Sequence, residues 1–210
     1  ASCDILKSVV LPAHDVQIGE MAFCESAKLT SINLENVTRV GGFAFENTGL
    51  VEVNLPQNGV EIGTGAFYGC TSLERVTLGA AAVIGAYAFC GSGVEVVNLL
   101  GDGVTVDEAA FYGCEDLISI DFTKMTGELG AYAFYYCLSL TDVNMPYVTK
   151  IGEACFADCP NLKTFSAERL EVIGDNAFAP SDDENAVSGA GFATVYMPAL
   201  REIGEYGFYG

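Results

Sequence analysis

The sequence predicts a solenoid of about nine parallel coils, each of 22 or 23 residues, with a β-sheet on one side and short helical or 3₁₀ turns opposite. Three observations predict it. An Ile-Gly-x-x-Ala-Phe block recurs so that its phenylalanines fall at Phe23, Phe45, Phe67, Phe89, Phe111, Phe134, Phe156, Phe178 and Phe208, and self-similarity at a fixed period of this length marks stacked supersecondary units. A second block, apolar-x-x-apolar-x-apolar, follows most of these phenylalanines after five or six residues. Half of the residues are hydrophobic, yet no stretch approaches the roughly 18 uninterrupted apolar residues of a membrane span, so the apolar content arrives in short, evenly spaced bursts.

In chain order, the second block begins at Leu6 to Leu11 and continues through Leu29 to Leu34, Leu50 to Leu55, Leu73 to Leu78, Val94 to Leu99, Leu117 to Phe122, Leu140 to Met145, Leu162 to Ala167 and Phe192 to Met197. Its last three positions alternate in, out, in, the period of a strand with one face in a core. Stacked, these strands form a parallel sheet. A single coil cannot cover its own apolar residues, so stability is expected from packing between coils. The Ile-Gly-x-x-Ala-Phe block reads as a tight turn and then one helical or 3₁₀ turn: glycine bends closely, alanine fits where coils crowd, and phenylalanine fills the core. The nine phenylalanines are therefore the expected structural core. Ile18, Val40, Ile62, Ile84, Val106, Leu129, Ile151, Ile173 and Ile203 precede the turn and are expected to form a second buried ladder, which a short strand of its own would carry.

Corner lengths alternate. Phe45 and Phe89 are followed by the next strand block after five residues, Phe23, Phe67 and Phe111 after six, and an extra residue beyond the strand near Gln57 to Gly59 and Gly101 to Gly103 compensates the shorter corners. A two-coil unit of 44 residues follows, in which circumference is fixed and corners vary.

No shift in composition marks a linker, so residues 1–210 read as one domain. Residues 179–191 form an inserted loop about eight residues longer than the usual corner, and such insertions leave the stack and can furnish binding features. Its Asp182, Asp183 and Glu184 offer oxygens suited to Ca²⁺ but match no full calcium-loop spacing, and hydrated carboxylates are their simpler role. The chain starts on a strand and stops at Tyr206 to Gly210, before the strand that should come next. The expectation is a fragment of a longer protein carrying caps or further modules.

Nine Lys or Arg face 28 Asp or Glu, a formal charge of −19. Such a surface repels nucleic acid and keeps an extended protein in solution; it favours a cationic partner without requiring one. Cys70, Cys114, Cys137 and Cys159 each lie three residues after their phenylalanine and read as buried ladder residues. There is no Cys-x-x-Cys pair, and His14 is the single histidine. Cys114 and Cys137 lie in successive coils, near enough for one disulfide in an oxidising compartment. No Ser-His-Asp set, phosphate loop or dinucleotide pattern appears, and nothing selects a carboxylate pair for glycoside hydrolysis. No catalytic, cofactor-binding or metal-binding residue is assigned, no cofactor is implied, and the chain does not read as an enzyme.

The outward strand positions Asn33, Asn54, Thr77, Asn98, Asp121, Asn144, Ser166 and Tyr196 form the candidate ligand face, a row of short polar groups suited to many modest hydrogen bonds. The opposing reading is that stacked Asn and Thr satisfy one another along a sheet. Tyrosines gather in the turn corners, and Tyr132, Tyr135 and Tyr136 mark the first place to seek a patch.

The paired signatures Ile62 to Leu73 and Leu50 to Pro56 closely resemble leucine-rich repeats of the BspA type, in phase along essentially the whole chain. Val106-Asp107, which lacks the glycine, and the long 179–191 corner depart from the pattern. The resemblance implies a leucine-rich repeat solenoid and an extracellular or cell-surface setting. It further implies a protein-binding or adhesion role, the alternative being a structural spacer or presentation scaffold without a ligand. A host or microbial extracellular protein is the expected partner, ahead of a glycan. Nucleic acid, membrane insertion within this segment and oligomerisation are not expected.

Overall fold

The computed structural model describes residues 5–180, 189–192 and 194–209. Each coil carries two short strands. In the first five coils these are β1 (Ser8–Val9) and β2 (Val16–Ile18), β3 (Ser31–Ile32) and β4 (Val37–Val40), β5 (Glu52–Leu55) and β6 (Glu61–Ile62), β7 (Arg75–Leu78) and β8 (Val83–Ile84), β9 (Val96–Leu99) and β10 (Val104–Val106). The remaining coils hold β11 (Ser119–Ile120) and β12 (Met125–Leu129), β13 (Asp142–Asn144) and β14 (Val148–Ile151), β15 (Thr164–Ser166) and β16 (Val172–Ile173), β17 (Thr194–Tyr196) and β18 (Glu202–Ile203).

The even-numbered strands make one nine-stranded parallel sheet in coil order. Val40 faces Ile62, Ile62 faces Ile84 and Ile84 faces Val106, a constant step of 22 residues. The odd-numbered strands, from the leucine-bearing block, divide into sheets of two, four and three strands. Their register alternates: Glu52 faces Arg75, Arg75 faces Val96, and Val96 faces Ser119, steps of 23, 21 and 23. The alternating corners are thus visible in one sheet and absent from the other. The continuous sheet belongs to the isoleucine ladder rather than to the leucine-bearing block.

Both breaks in the strand row follow a two-residue strand. Just after β3, the Asn33 side chain bonds back to the preceding coil and ends the β1–β3 ladder, with Oδ1 accepting from Leu11 N at 2.5 Å and Nδ2 donating to Leu11 O at 3.1 Å. After β11, Asp121 caps a 3₁₀ turn over Phe122–Lys124, accepting from Thr123 N at 3.0 Å. Short polar side chains compete locally with strand ladders, and at these two positions they win.

The phenylalanine corner differs from the expected helical or 3₁₀ turn. It is a run of β-turns in which residues two before and two after the phenylalanine take positive φ, as at Met21 (52°) and Glu25 (61°), or Tyr132 and Tyr136 (58° each). The reason lies in the backbone hydrogen bonds. Met21, Phe23 and Glu25 donate their N–H groups to Gly42, Ala44 and Glu46 of the next coil at 2.8–2.9 Å, while Ala22, Cys24 and Ser26 close the turns onto Gly19, Met21 and Phe23. In this first corner each donor from Met21 to Ser26 is satisfied, alternately between coils and within one. A helix would keep all these bonds to itself and leave neighbouring coils unjoined.

The rings then stack. From Phe23 to Phe208, successive centroids lie 4.8–5.8 Å apart with planes within 21° of parallel. Phe45 to Phe178 are buried, Phe23 is half-buried, and Phe208 is 38% exposed. Full burial of one such ring contributes about 1.5–3 kcal/mol. Glycine after the isoleucine is required by close approach between coils: a Cβ at Gly130 would lie 2.3 Å from Glu108 N and 2.4 Å from Asp107 C. At Asp107, the position without glycine, the side chain folds back and accepts from Glu108 N at 2.8 Å. The 23-residue step from Phe111 to Phe134 coincides with a bulge where β10 meets the longer β12, in which Gly127 has φ 78°.

Among the described residues no helix is long and apolar enough to cross a membrane. Cys3 and the loop carboxylates Asp182, Asp183 and Glu184 lie outside the described residues, as does most of the 179–191 insertion.

Candidate functional site

Two surfaces carry exposed chemistry. On the strand row, Asn54 faces Thr77 and Thr77 faces Asn98 in the four-stranded sheet, while Asn144 faces Ser166 and Ser166 faces Tyr196 in the three-stranded one. Asn98, Asp121, Asn144 and Tyr196 are exposed; Asn33, Asn54, Thr77 and Ser166 are half-buried. Asn33 and Asp121 are occupied in shaping the chain, as described above. The side chains of Asn54, Thr77, Asn98, Asn144 and Ser166 form no hydrogen bond to another described residue, so mutual satisfaction along the sheet does not account for them. Two residues before Asn144 on β13, Asp142 accepts from Thr141 and Thr164 at 2.6 Å each, and these bonds hold its carboxyl below the usual carboxylate range.

The second surface is a cavity of about 560 Å³ on the phenylalanine corner. It arises from side-chain size at two outward positions of the coil. Two residues before the phenylalanine stand Tyr132, Ala154, Asn176 and Tyr206 in successive coils; one residue after it stand Tyr112, Tyr135, Ala157, Ala179 and Tyr209. Where the rings are missing, Ala154 and Ala157 form a buried floor between tyrosine walls. Tyr112 and Tyr135 stack at 4.7 Å on one side, and Tyr206 and Tyr209 meet edge to face at 5.6 Å on the other. Tyr132 Oη donates to Glu153 Oε1 at 2.6 Å, and this bond, with burial, pushes the Tyr132 phenol up to about 12. Tyr135 lines the cavity, whereas Tyr136 lies beside it, 6.3 Å from the Tyr135 ring. Sequence reading marked the Tyr132 to Tyr136 side of this feature and counted Tyr206 and Tyr209 among the corner tyrosines without joining them to it. The available signal was the run Ala154, Ala157, Asn176 and Ala179 over two coils, at positions that hold tyrosine in the coil before and the coil after.

The cysteines beneath the corner are structural. Cys70, Cys114, Cys137 and Cys159 donate their thiols to the carbonyls of Phe45, Phe89, Phe111 and Phe134 in preceding coils at 3.0–3.3 Å. Ser26, Thr48 and Ser92 hold the same buried position in other coils. Burial pushes Cys114 and Cys159 up to about 12 and raises Cys137 and Cys155 well above the ordinary thiol value. The disulfide that spacing would allow is not formed: Cys114 and Cys137 are free thiols, each bonded to a different carbonyl.

His14 is exposed, its Nδ1 3.0 Å from the carbonyl of Asp15. Among the described residues, Cys24, Glu25 and Glu46 bring three potential metal-ligand atoms within 4.8 Å of one another. They are engaged locally: the Cys24 thiol donates to Glu46 at 3.3 Å and Glu25 accepts from Asn47 at 2.8 Å. Burial, then the Glu46 bond, raises the pKa of that thiol. Alignment of the coils would have shown this grouping, because Cys24 and Glu46 are equivalent positions one coil apart.

A family model described as BspA type leucine rich repeat region matches residues 1–102 and 82–210, in six copies. Among solved structures, the chain is similar to a leucine-rich repeat protein from Bacteroides ovatus ATCC 8483, at 25% identity and a TM-score of 0.64 over 96% of this chain and 46% of that one. It also matches a leucine rich cell surface protein from Faecalibacterium prausnitzii A2-165 at 21% identity and a TM-score of 0.49, over 97% of this chain and 61% of that one. The chain therefore spans about half of the first structure and under two thirds of the second. No curated protein matches it.

Proposed function

The chain belongs to the BspA-type leucine-rich repeat family, and from that premise we propose that it is a non-enzymatic protein-binding or adhesion module of a secreted or cell-surface protein. Its ligand face is the strand row, in which Asn54, Thr77, Asn98, Asn144, Ser166 and Tyr196 are offered to the partner while Asn33 and Asp121 shape the chain around them, and its partner is an extracellular host or microbial protein. One observation carries this reading. Asn54, Thr77 and Asn98 stand in register on neighbouring strands with their hydrogen-bonding groups unspent among the described residues. Strand spacing places them about 4.8 Å apart, close enough for one partner segment crossing the strands to reach several of them.

Extracellular proteins immobilised as an array provide the test. The native chain should bind one of them saturably, and Asn98→Arg combined with Thr77→Arg should abolish that binding while the melting temperature stays unchanged. A spacer without a ligand would show no saturable partner and would be indifferent to these substitutions, and that result would end the proposal.

A further inference from the structure

The tyrosine cavity has an electrostatic character that the strand row lacks. Its lining, Tyr112, Tyr132, Tyr135, Tyr206 and Tyr209 around Glu153, Asn176 and small residues, contains no lysine or arginine. The chain is strongly anionic, and four of its nine Lys and Arg side chains are held elsewhere, in ion pairs that join successive coils: Arg39 with Glu61, Lys124 with Asp102, Lys150 with Glu128, and Arg201 with Glu171. Arg169 lies over the Tyr147 ring at 5.3 Å, away from the cavity lining. Tyrosine faces attract cations through the ring quadrupole, most strongly where water is excluded. Glu153 reinforces that field: the Tyr132 hydroxyl occupies one site on its carboxylate and fixes its orientation, and an ionised carboxylate has about four acceptor sites in all.

We infer that this cavity is a second binding site, which takes an arginine-bearing extended segment of a partner protein, with a guanidinium held against Glu153 and the Tyr132 and Tyr135 wall and the segment running on to the Tyr206 and Tyr209 wall. The dimensions agree. Tyr135 and Tyr209 are three coil steps apart, on the order of 14 Å at the spacing of paired strands, which accommodates about four residues of extended chain. Arginine suits the site better than lysine because its planar fork both stacks on aromatic faces and pairs with a carboxylate. A neutral glycan would also stack on tyrosine but would make no use of the field. The inference rests on the reading of the chain as a protein-interaction module and is independent of the strand row.

The probe is a capped peptide of alternating glycine and arginine, compared by calorimetry with the same peptide carrying citrulline, the neutral isostere of arginine, and with a linear maltooligosaccharide. The arginine peptide should bind at one site, more tightly at low salt, and the citrulline peptide about tenfold more weakly. Tyr135→Ala and Tyr209→Ala alter no charge; each should weaken binding about tenfold with the fold intact by circular dichroism. Glu153→Gln should weaken it as well, while Glu95→Gln, which removes the same charge far from the cavity, should not. Equal binding of the citrulline peptide, preference for the saccharide, or indifference to both tyrosine substitutions would overturn the inference. Failure of the broader reading looks different: no extracellular protein would bind the native chain, although the peptide still enters the cavity. A captured protein unaffected by Tyr209→Ala and not displaced by the peptide would leave the module standing and remove this site.

Discussion

The phenylalanine corner and the polar strand row run along the same coils, yet they advance differently. On the corner side, the ladder from Val40 through Val106 steps by a constant 22 residues, and the rings stack without interruption. On the strand row the step alternates between 23 and 21, and pairing lapses after β3 and after β11. The corner is constrained because alternate N–H groups bond to the next coil and because ring faces and thiols fill the space between coils. A one-residue error there would misplace every one of these contacts. On the row the outward groups, Tyr196 included, face solvent or are half-buried, so an extra residue is absorbed in a corner without displacing a buried contact of theirs. The side that holds the stack together is therefore distinct from the strand row, which is freer to vary, and most of the stability should reside in the former.

Alkaline pH should strain that separation most. The buried thiols have pKa values raised above that of a thiol in the unfolded chain, about 8.5. Their contribution is thus fully present below that pH and is lost as pH rises towards the folded-state value, about 12 for Cys114 and Cys159. Each thiol ionised in the unfolded but not the folded state lowers stability by about 1.4 kcal/mol per pH unit. Urea unfolding between pH 8 and 10 should show a loss of several kcal/mol, on the order of that slope summed over the buried thiols. Cys114→Ser with Cys159→Ser should flatten the curve, and both should fold because serine already occupies the position at Ser26 and Ser92. A curve unchanged by the pair would mean that the corner is not the pH-sensitive side.

Within the corner, the interior of the stack should outweigh its end. Phe111→Ala removes a fully buried ring with stacked neighbours at 5.3 and 5.2 Å, and about 3–5 kcal/mol of unfolding free energy should go with it. Phe23 is half-buried, so Phe23→Ala should cost clearly less in the same urea titration. Equal losses would show that stacking does not propagate along the coils.

The two sides were not equally legible in the sequence. Period, coil number and the buried phenylalanines follow directly from a repeated block, because a ring needed at every coil leaves the same residue at each return. The alternating corner lengths were also legible, and they reappear as the 23 and 21 register steps. The geometry of the corner was not, because Met21, Tyr132 and Ala154 at positive φ carry no common residue type: the conformation is imposed by bonds to the next coil and not by local preference. The tyrosine cavity was half legible, since it depends on where rings are absent, at Ala154 and Ala157, as much as on where they stand. Of the polar row, sequence alone placed Asn33 and Asn98 as equivalents, and it could not show that one amide would bond to the chain while the other faced outward.

That equivalence supplies the finest comparison. Asn33 uses both ends of its amide on Leu11, with an acceptor and a donor bond, whereas Asn98 is exposed and forms no hydrogen bond to another described residue. Asn33→Ala should cost about 1 kcal/mol, since a net intramolecular hydrogen bond is worth that much and the Leu11 groups left behind are only partly shielded from water. Asn98→Ala should stay within about 0.5 kcal/mol of the native chain, as surface substitutions without special roles do. The two variants, measured under one set of urea conditions, separate shaping from recognition inside a single row. If Asn98→Ala proved as costly as Asn33→Ala, the row would be structural along its length, and the polar groups offered to a partner would instead be holding the coils to one another.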